Sequence, residues 1–424
     1  MKCYFHCDLN NFYASVEAIL DPTLRGKAIA VCGDQERRHG IVLAKSEPAK
    51  KMGVKTGMPI WEAKRCCPDI IICCTHHREY EKYSQIVKQI YYRYTDLIEP
   101  FGIDECWLDI TPSLNYLKKP PLEIADEIRG VVKRETGLTI SVGVSFNKVF
   151  AKLGSDMKKP DATTVITQEN FRSVVWPLPA SDLLFVGKAT TKVLEKLAAQ
   201  TIGDLAAKDP VMLAGHLGRN AYKLVAMARG EYDEPVRSFH EIVAAKSVGN
   251  GTTMAHDIKN TDELAGVVYV LCEEIAFRLR RKGFKGRTVN LSVRDTELRW
   301  TGAQETIKTP TNSWQTISEA ALSIYDKKLR REPDFSPDGH VTGNLKPGKM
   351  IAPIHSLRIS VSNLEPAVAD RTQLSLFENP EDRRDKLSAA FDKIRRKYGS
   401  QSIKFAQTLP GGVPIEIEEF DEGF

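Results

Sequence analysis

The 424 residues are 42% hydrophobic and 27% charged, the makeup of an ordinary globular protein with room for about two to four domains. No run of about 18 apolar residues occurs, which excludes a membrane helix, and the opening MKCYFHCDLNNFYASVE lacks the regions of a secretion signal. Net charge is only +5, yet Arg278 to Arg299 alone carries eight Lys/Arg and two acids, the pattern of a local polyanion track.

In chain order, the first apolar run (Lys2 to Leu9) reads as a strand closed by Asp8 and the Asn10-Asn11 pair. Helical spacing follows from Phe12 through Val16 and Ile19. IAVCG (29–33) and GIVLAKS (40–46) read as strands, and the segment after them as a turn and short helix. The apolar period from Tyr80 to Ile98 predicts one long helix.

FGIDECWLDI (101–110) then sets Asp104 and Glu105 in a core-like apolar run. An edge strand with its acids in water would account for them. So would a cation site, since Mg²⁺ takes hard oxygen ligands and only one or two protein carboxylates. Asp8 supplies another acid if the two strands lie side by side, and the Leu9 carbonyl another hard oxygen.

The helix PLEIADEIRGVVKRETG and the strand LTISVGVSF complete an α+β unit ending near residue 165. Residues 168–235 read as helical. FVGKATTKVLEKL and TIGDL form a pair of short helices joined by a glycine turn, either a plain hairpin or a phosphate-holding helix-hairpin-helix. Residues 241–365 return to mixed structure, with strands at KSVGNGTTM, RTVNLSVRD, ETIKTPTNS and HSLRISVSNL and helices at 262–282 and 313–331. Residues 333–349 read as a loose loop, 381–398 as a helix, and the acidic end as a solvated tail. Nine cysteines form a poor disulfide framework and fit reduced thiols in a cytoplasm; Cys73, Cys74, His76 and His77 sit too close together in sequence to converge on one zinc ion.

DLNNFYASVE, GIDECWLDI, SVGVSFNKVFAKLGSDMKKPD, KSVGNGTT and QLSLF resemble, in order and spacing, the motifs of Y-family DNA polymerases of the bacterial polymerase IV branch. The resemblance spans residues 1–377 and implies a multidomain right hand of α+β class. Its palm would be 1–11 and 74–165 with a mixed or antiparallel sheet, its small fingers 12–73, its helical thumb 166–235, its α/β little finger 241–365 and its tail 366–424. It implies a low-fidelity, template-directed polymerase that extends a primer with deoxynucleoside triphosphates in lesion bypass.

Carried over by position, Asp8, the Leu9 carbonyl, Asp104 and Glu105 would ligate two Mg²⁺ ions, with Mn²⁺ as a substitute. Phe12 and Tyr13 would meet the nucleotide, Tyr13 as the ring that excludes a 2′-hydroxyl, and Lys159 would contact the triphosphate. Lys148 and Lys152 precede Lys159 at helical spacing, and Lys152 reads as part of a solvated face. Arg278, Arg280, Arg281, Lys282, Lys285, Arg287 and Arg294 would grip primer-template DNA. Gln373, Leu374, Leu376 and Phe377 would dock a sliding clamp. A monomer with no membrane contact is expected.

The chain departs from the family at Glu47 and Lys50, where a Tyr-x-x-Arg pair is usual, and at Phe185, where Gly-Val-Gly is usual. Lysine keeps the charge but loses the planar fork that grips phosphate. Two rival readings remain open at this level, a non-catalytic scaffold and a palm-type nucleotide cyclase.

Overall fold

The structure is a computed structural model that describes residues 2–33, 40–241, 244–329, 331–332, 346–347, 353–367, 380–399 and 402–403. The expected clamp peptide 373–377, nearly all of the 333–349 loop and the acidic end lie outside the described residues. The chain divides into two units, one within residues 1–242 and one within 243–420.

The first unit is organised by β1 (Tyr4–Leu9). After α1 (Phe12–Leu20) come β2 (Ile29–Cys32), β3 (Val42–Lys45), α2 (Glu47–Lys51), α3 (Ile60–Cys66) and β4 (Ile71–Cys73). The three strands form a small sheet of order β3-β2-β4 around Ala30, Val42, Ile60 and Ala63. Next are α4 (His77–Tyr92), β5 (Ile98–Pro100), β6 (Glu105–Asp109), α5 (Leu114–Leu117), α6 (Pro121–Thr136), β7 (Ile140–Ser145), α7 (Lys148–Met157) and β8 (Thr163–Ile166).

The main sheet has the order β5-β6-β1-β7-β8, with β1 antiparallel to both neighbours and every β1 side chain buried. Phe5, Cys7 and Leu9 join the cluster that holds Val87, Ile90, Tyr91, Ile124 and Ile128 of α4 and α6. The opposite side of the strand, Tyr4, His6 and Asp8, lies under α7. A strand covered on both faces explains why its sequence reads as a nearly unbroken apolar run.

The long helix expected from Tyr80 to Ile98 is corrected here: α4 stops at Tyr92, and Ile98–Pro100 is a strand paired with β6. The apolar period continues because Ile98 is buried in the same core, and Pro100 disfavours helical dihedrals at the residue before it. The segment 101–110 is also no edge strand. Gly102 turns at φ +97, and β6 runs between β5 and β1.

Helices α8 (Phe171–Val175), α9 (Lys188–Lys196), α10 (Ile202–Ala207), α11 (Pro210–Leu217) and α12 (Asn220–Ala228) share a core that includes Phe150, Phe171, Leu194, Ile202, Leu205 and Leu224. The turn from α9 to α10 contains no glycine, contrary to expectation. Ala198 takes the left-handed conformation there at φ 49, and Gly187 instead precedes α9. Phe185 adopts φ 70 with its ring 57% exposed and Lys223 Nζ 4.6 Å over it.

The second unit contains β9 (Ser247–Ile258), α13 (Thr261–Arg281), β10 (Phe284–Asp295), β11 (Trp300–Thr311), α14 (Trp314–Ile324), the two-residue pair β12 (Arg331–Glu332) and β13 (Lys346–Pro347), β14 (Ile354–Pro366) and α15 (Pro380–Tyr398). Its sheet order is β11-β10-β14-β9. Val289, Leu291, Leu357, Ile359 and Val361 pack on Leu264, Leu271, Ile275 and Leu279 of α13 and on Ile317 and Ile324 of α14. The alternate residues Asn290, Ser292, Arg294, Arg358 and Ser360 point to the other face.

Candidate active site

Register brings the predicted acids together. Asp8 and Glu105 are direct Cα partners across β1 and β6, and the Leu9 amide donates to the Asp104 carbonyl at 3.0 Å. Asp104 and Glu105 therefore stand beside Asp8 at one end of the central strand.

Helix α7 supplies the counter-charges. A Cβ on Gly143 of β7 would sit 1.9 Å from the Ala151 carbonyl oxygen, so the helix can lie this close only over glycine. Asn147 caps its first turn by accepting from the Phe150 amide at 2.8 Å. Lys152 Nζ is 3.0 Å from Glu105 Oε1 and 3.5 Å from Asp8 Oδ2. Lys159 Nζ is 2.7 Å from Asp8 Oδ2 and 2.8 Å from Asp156 Oδ1. The expectation of a solvated Lys152 is thus corrected: its side chain is 15% exposed and spans the acids, because the close approach of α7 turns that face onto the sheet. Asp156 also reaches Lys152, at 3.2 Å, and was not singled out from sequence, although its i+4 spacing from Lys152 signals the pairing.

The acids share charge unevenly. Burial pushes Asp8 up to about 6, opposed by Lys159 and assisted by the Glu105 charge. Burial and Glu105 also raise Asp104. For Glu105 the burial effect is outweighed by His6 and Lys152, which bring it down to about 2. Burial keeps His6 neutral by lowering it to about 4.

Among the described residues no three His, Cys, Asp or Glu side chains close on a point as a finished metal site. The donor set nevertheless fits a divalent cation of the Mg²⁺ type. It is all carboxylate and carbonyl oxygen, burial together with the Glu105 charge raises Asp8 and Asp104, and such ions complete their shell with water and substrate phosphate rather than a protein cage.

Tyr13 stacks on Tyr80 at 4.1 Å and 12° between planes, and the Tyr80 hydroxyl donates to buried Glu17. His76 Nδ1 lies 2.9 Å from the same carboxylate, so it is not poised for zinc with Cys73 and Cys74. Burial and, after it, the charge of Asp104 raise the Tyr13 hydroxyl. Phe12, by contrast, is 3% exposed in the core, so its ring is corrected from nucleotide contact to packing. Asn10 holds the loop after α7, donating to Ser141 Oγ at 2.9 Å and accepting from the Asp161 amide at 2.8 Å.

Glu47 and Lys50 neutralise one another at 3.3 Å. Lys45, at the end of β3, feels the Lys50 charge after burial, and both effects lower it. Lys148 is buried against Glu99 at 2.7 Å and takes no part in the acid cluster. Asp109 caps its own turn by accepting from Thr111, as a structural residue should.

The basic stripe divides. Arg278 is 7% exposed and bonded to Glu274 at 3.0 Å, and Arg280 grips Asp392 of α15 through two bonds of 2.7 and 2.9 Å. These two are corrected to structural roles, because the last turn of α13 carries them inward and under α15. Arg281 stacks 6.0 Å over Phe277, Lys282 caps α13, and Lys285 pairs in register with Glu365. Arg287 contacts Glu365 at 3.5 Å. Arg294 lies 5.8 Å over the Trp300 ring, with Arg358, absent from the predicted set, at 6.0 Å.

Comparison with known proteins finds relatives along most of the chain. Residues 7–156 match the impB/mucB/samB family and residues 245–376 its C-terminal domain. DNA polymerase IV of Acetivibrio thermocellus is 42% identical over 405 residues, covering 95% of this chain and 96% of that one. DNA polymerase IV 1 of Bacillus subtilis is 35% identical over 409 residues, covering 96% and 93%. A solved "Y-family DNA polymerase chimera Dbh-Dpo4(243-245)-Dbh" shares the fold with TM-score 0.70 at 22% identity, over 85% of this chain and 98% of that one. The scaffold and cyclase readings find no support among these relatives. With its acids in register and its relatives aligned along nearly the whole length, the chain belongs to the Y-family DNA polymerases, in the DNA polymerase IV group.

Proposed function

We propose that the chain extends a primer 3′-hydroxyl with deoxynucleoside triphosphates on damaged templates, with Asp8, Asp104, Glu105 and the Leu9 carbonyl holding two Mg²⁺ ions, or Mn²⁺ in their place. When bound, such ions lower the pKa of the attacking hydroxyl and neutralise the leaving pyrophosphate. The observation that carries the reading is the Asp8–Glu105 register pair capped by Lys152 and Lys159.

The chain's own residues then do three things. Lys159, on the cluster's rim with its side chain 27% exposed, can exchange Asp8 for a triphosphate oxygen. Lys152 holds Glu105 ionised. Tyr13, backed by Tyr80, sets a floor under the sugar. Lys45 supplies positive charge near the position where the family uses an arginine, and Lys50 adds to it only when it leaves Glu47 for phosphate.

The first unit is read as palm (1–11 and 74–165), fingers (12–73) and thumb (166–235), and the second as little finger (241–365) and tail (366–424). The small sheet and the second sheet each have a cluster of their own, which supports the fingers and little finger, while Phe12, Val16, Ile29 and Val31 pack with the main sheet and Phe150 and Leu153 with the helices. Arg294 and Arg358 are the strongest candidates for DNA phosphate on the second unit, with Arg281, Lys282, Lys285 and Arg287 beside them. Docking of Gln373, Leu374, Leu376 and Phe377 into a sliding clamp rests on the motif alone. Work in a cytoplasm is supported by nine free cysteines, and a monomer is read from the resemblance alone. Among the described residues no helix is long and apolar enough to cross a membrane.

Asp104→Asn and Glu105→Gln test the centre. Each removes one charge with little change of shape, so nucleotide addition should vanish while primer-template binding persists. Robust extension by either variant in Mg²⁺ would refute the assignment.

A further inference from the structure

His6 lies two residues before Asp8 on β1 and is fully buried. Its Cα partner on β7 is Gly143, the residue that admits α7 to the sheet. The same close approach brings Ser155 Oγ to 2.8 Å from His6 Nδ1. On the other side of the ring, Nε2 stands 3.3 Å from Glu105 Oε2. Both of those atoms are buried and neither makes an aligned hydrogen bond, and the Lys152 ammonium stands 3.0 Å from the same Oε2. Trp107 holds the ring edge-on at 5.2 Å, which limits its freedom to turn away.

Two buried polar atoms facing one another without a bond carry a desolvation cost unless one donates. A neutral imidazole has a single N–H, so its tautomer decides the matter. Ser155 Oγ can donate to the Lys152 carbonyl at 2.7 Å or to His6 Nδ1. When it donates to Nδ1, the ring hydrogen sits on Nε2 and aims at Glu105. The opposite choice sets an imidazole lone pair against a carboxylate oxygen. The first arrangement gives His6 Nε2 its partner and adds a directed N–H to the Lys152 charge already beside Oε2, and a hydrogen bond left long in the free protein tightens when its site is occupied.

We propose that Ser155 and His6 form a hydrogen-bond relay, Ser155 Oγ–H to His6 Nδ1 and His6 Nε2–H to Glu105 Oε2, that positions Glu105 for its metal ion. The proposal rests on the reading of Glu105 as a ligand. His6 is a positioning residue, acting through Glu105 without touching substrate. Lys152 Nζ is 3.0 Å from both carboxylate oxygens, so it supplies the charge while His6 would direct Oε2. Outer partners of this kind typically change metal affinity or activity about 10–100-fold when removed.

The test compares His6→Leu, His6→Gln, Ser155→Ala and Glu105→Gln. Mn²⁺ binding is read by electron paramagnetic resonance with a dideoxy-terminated primer-template and nucleotide present, and steady-state kcat and KM are measured separately. His6→Leu should weaken Mn²⁺ binding about tenfold and lower kcat far more than it changes nucleotide KM. His6→Gln, whose amide nitrogen reaches the Nε2 position, should recover most of the loss, and Ser155→Ala should fall between. Wild-type Mn²⁺ binding and kcat in His6→Leu would overturn the relay, as would a Gln variant as impaired as Leu. If His6→Leu does not fold, unchanged Mn²⁺ binding in Ser155→Ala overturns it instead. Should Glu105→Gln itself bind Mn²⁺ and extend primers normally, the ligand reading fails. If Glu105→Gln is dead while His6→Leu is normal, only the relay fails.

Discussion

Tyr13 takes its position from neighbours that its own sequence context does not reveal. A tyrosine on the first turn of an apolar helix reads equally as core. Its ring is instead stacked on Tyr80, whose hydroxyl is tied to Glu17, with His77 edge-on at 6.0 Å. This aromatic backing leaves Tyr13 unable to swing aside for a bulkier sugar. Tyr13→Ala should therefore raise ribonucleotide incorporation relative to deoxynucleotide by at least tenfold, about 1.4 kcal/mol of discrimination. Single-nucleotide insertion with matched ribo- and deoxynucleotides measures it, and an unchanged ratio would return Tyr13 to packing. Glu47 and Lys50 tell a related story. Their departure from the family leaves no bare acid facing a triphosphate, because they pair at one helical turn.

At the scale of elements, the candidate site is a consequence of neighbouring strands of one sheet and one helix in contact. β1 presents Asp8, β7 presents Gly143, and α7 crosses them with Lys152, Ser155 and Asp156. Gly143→Ala places a methyl 1.9 Å from the Ala151 carbonyl oxygen and 2.5 Å from the Ser155 amide, and backbone cannot yield as a flexible side chain can. Overpacking of this kind costs about 1–3 kcal/mol. The variant should lose several degrees of Tm and lose activity out of proportion, since α7 must lift away from the acids. Thermal melts with primer extension well below the melting point check it, and full activity there would mean that the helix position is not critical. The acids and β1 were legible in the sequence because carboxylates at a strand end interrupt an apolar run. Lys152 was not, because a helical period gives the spacing of Lys148 and Lys152 but not which of them meets the acids. In the same way, the period through Ile98 reported burial correctly and misassigned the element.

Across the whole molecule, DNA affinity should depend on which cations can reach phosphate, not on how many stand in the sequence. Eight Lys/Arg from Arg278 to Arg299 look like one track. The fold spends two of them internally: Arg278 on Glu274, and Arg280 on Asp392. Arg294 and Arg358 flank the half-exposed Trp300 on the sheet face away from α13 and α14, although Arg358 lies about 60 residues along the chain from Arg294 and outside any basic run. Each phosphate contact contributes about 0.9 to the slope of log affinity against log salt. Arg294→Gln with Arg358→Gln should therefore reduce that slope by about 2 and weaken all DNA sequences alike. Arg280→Ala should leave the slope unchanged. It strands Asp392, 8% exposed, without its partner, and breaking such a pair costs about 3–5 kcal/mol, seen as a lower melting temperature. Fluorescence anisotropy of a labelled primer-template across a salt series separates the two variants. A slope that falls in Arg280→Ala but not in the double variant would move the DNA track back to the end of α13.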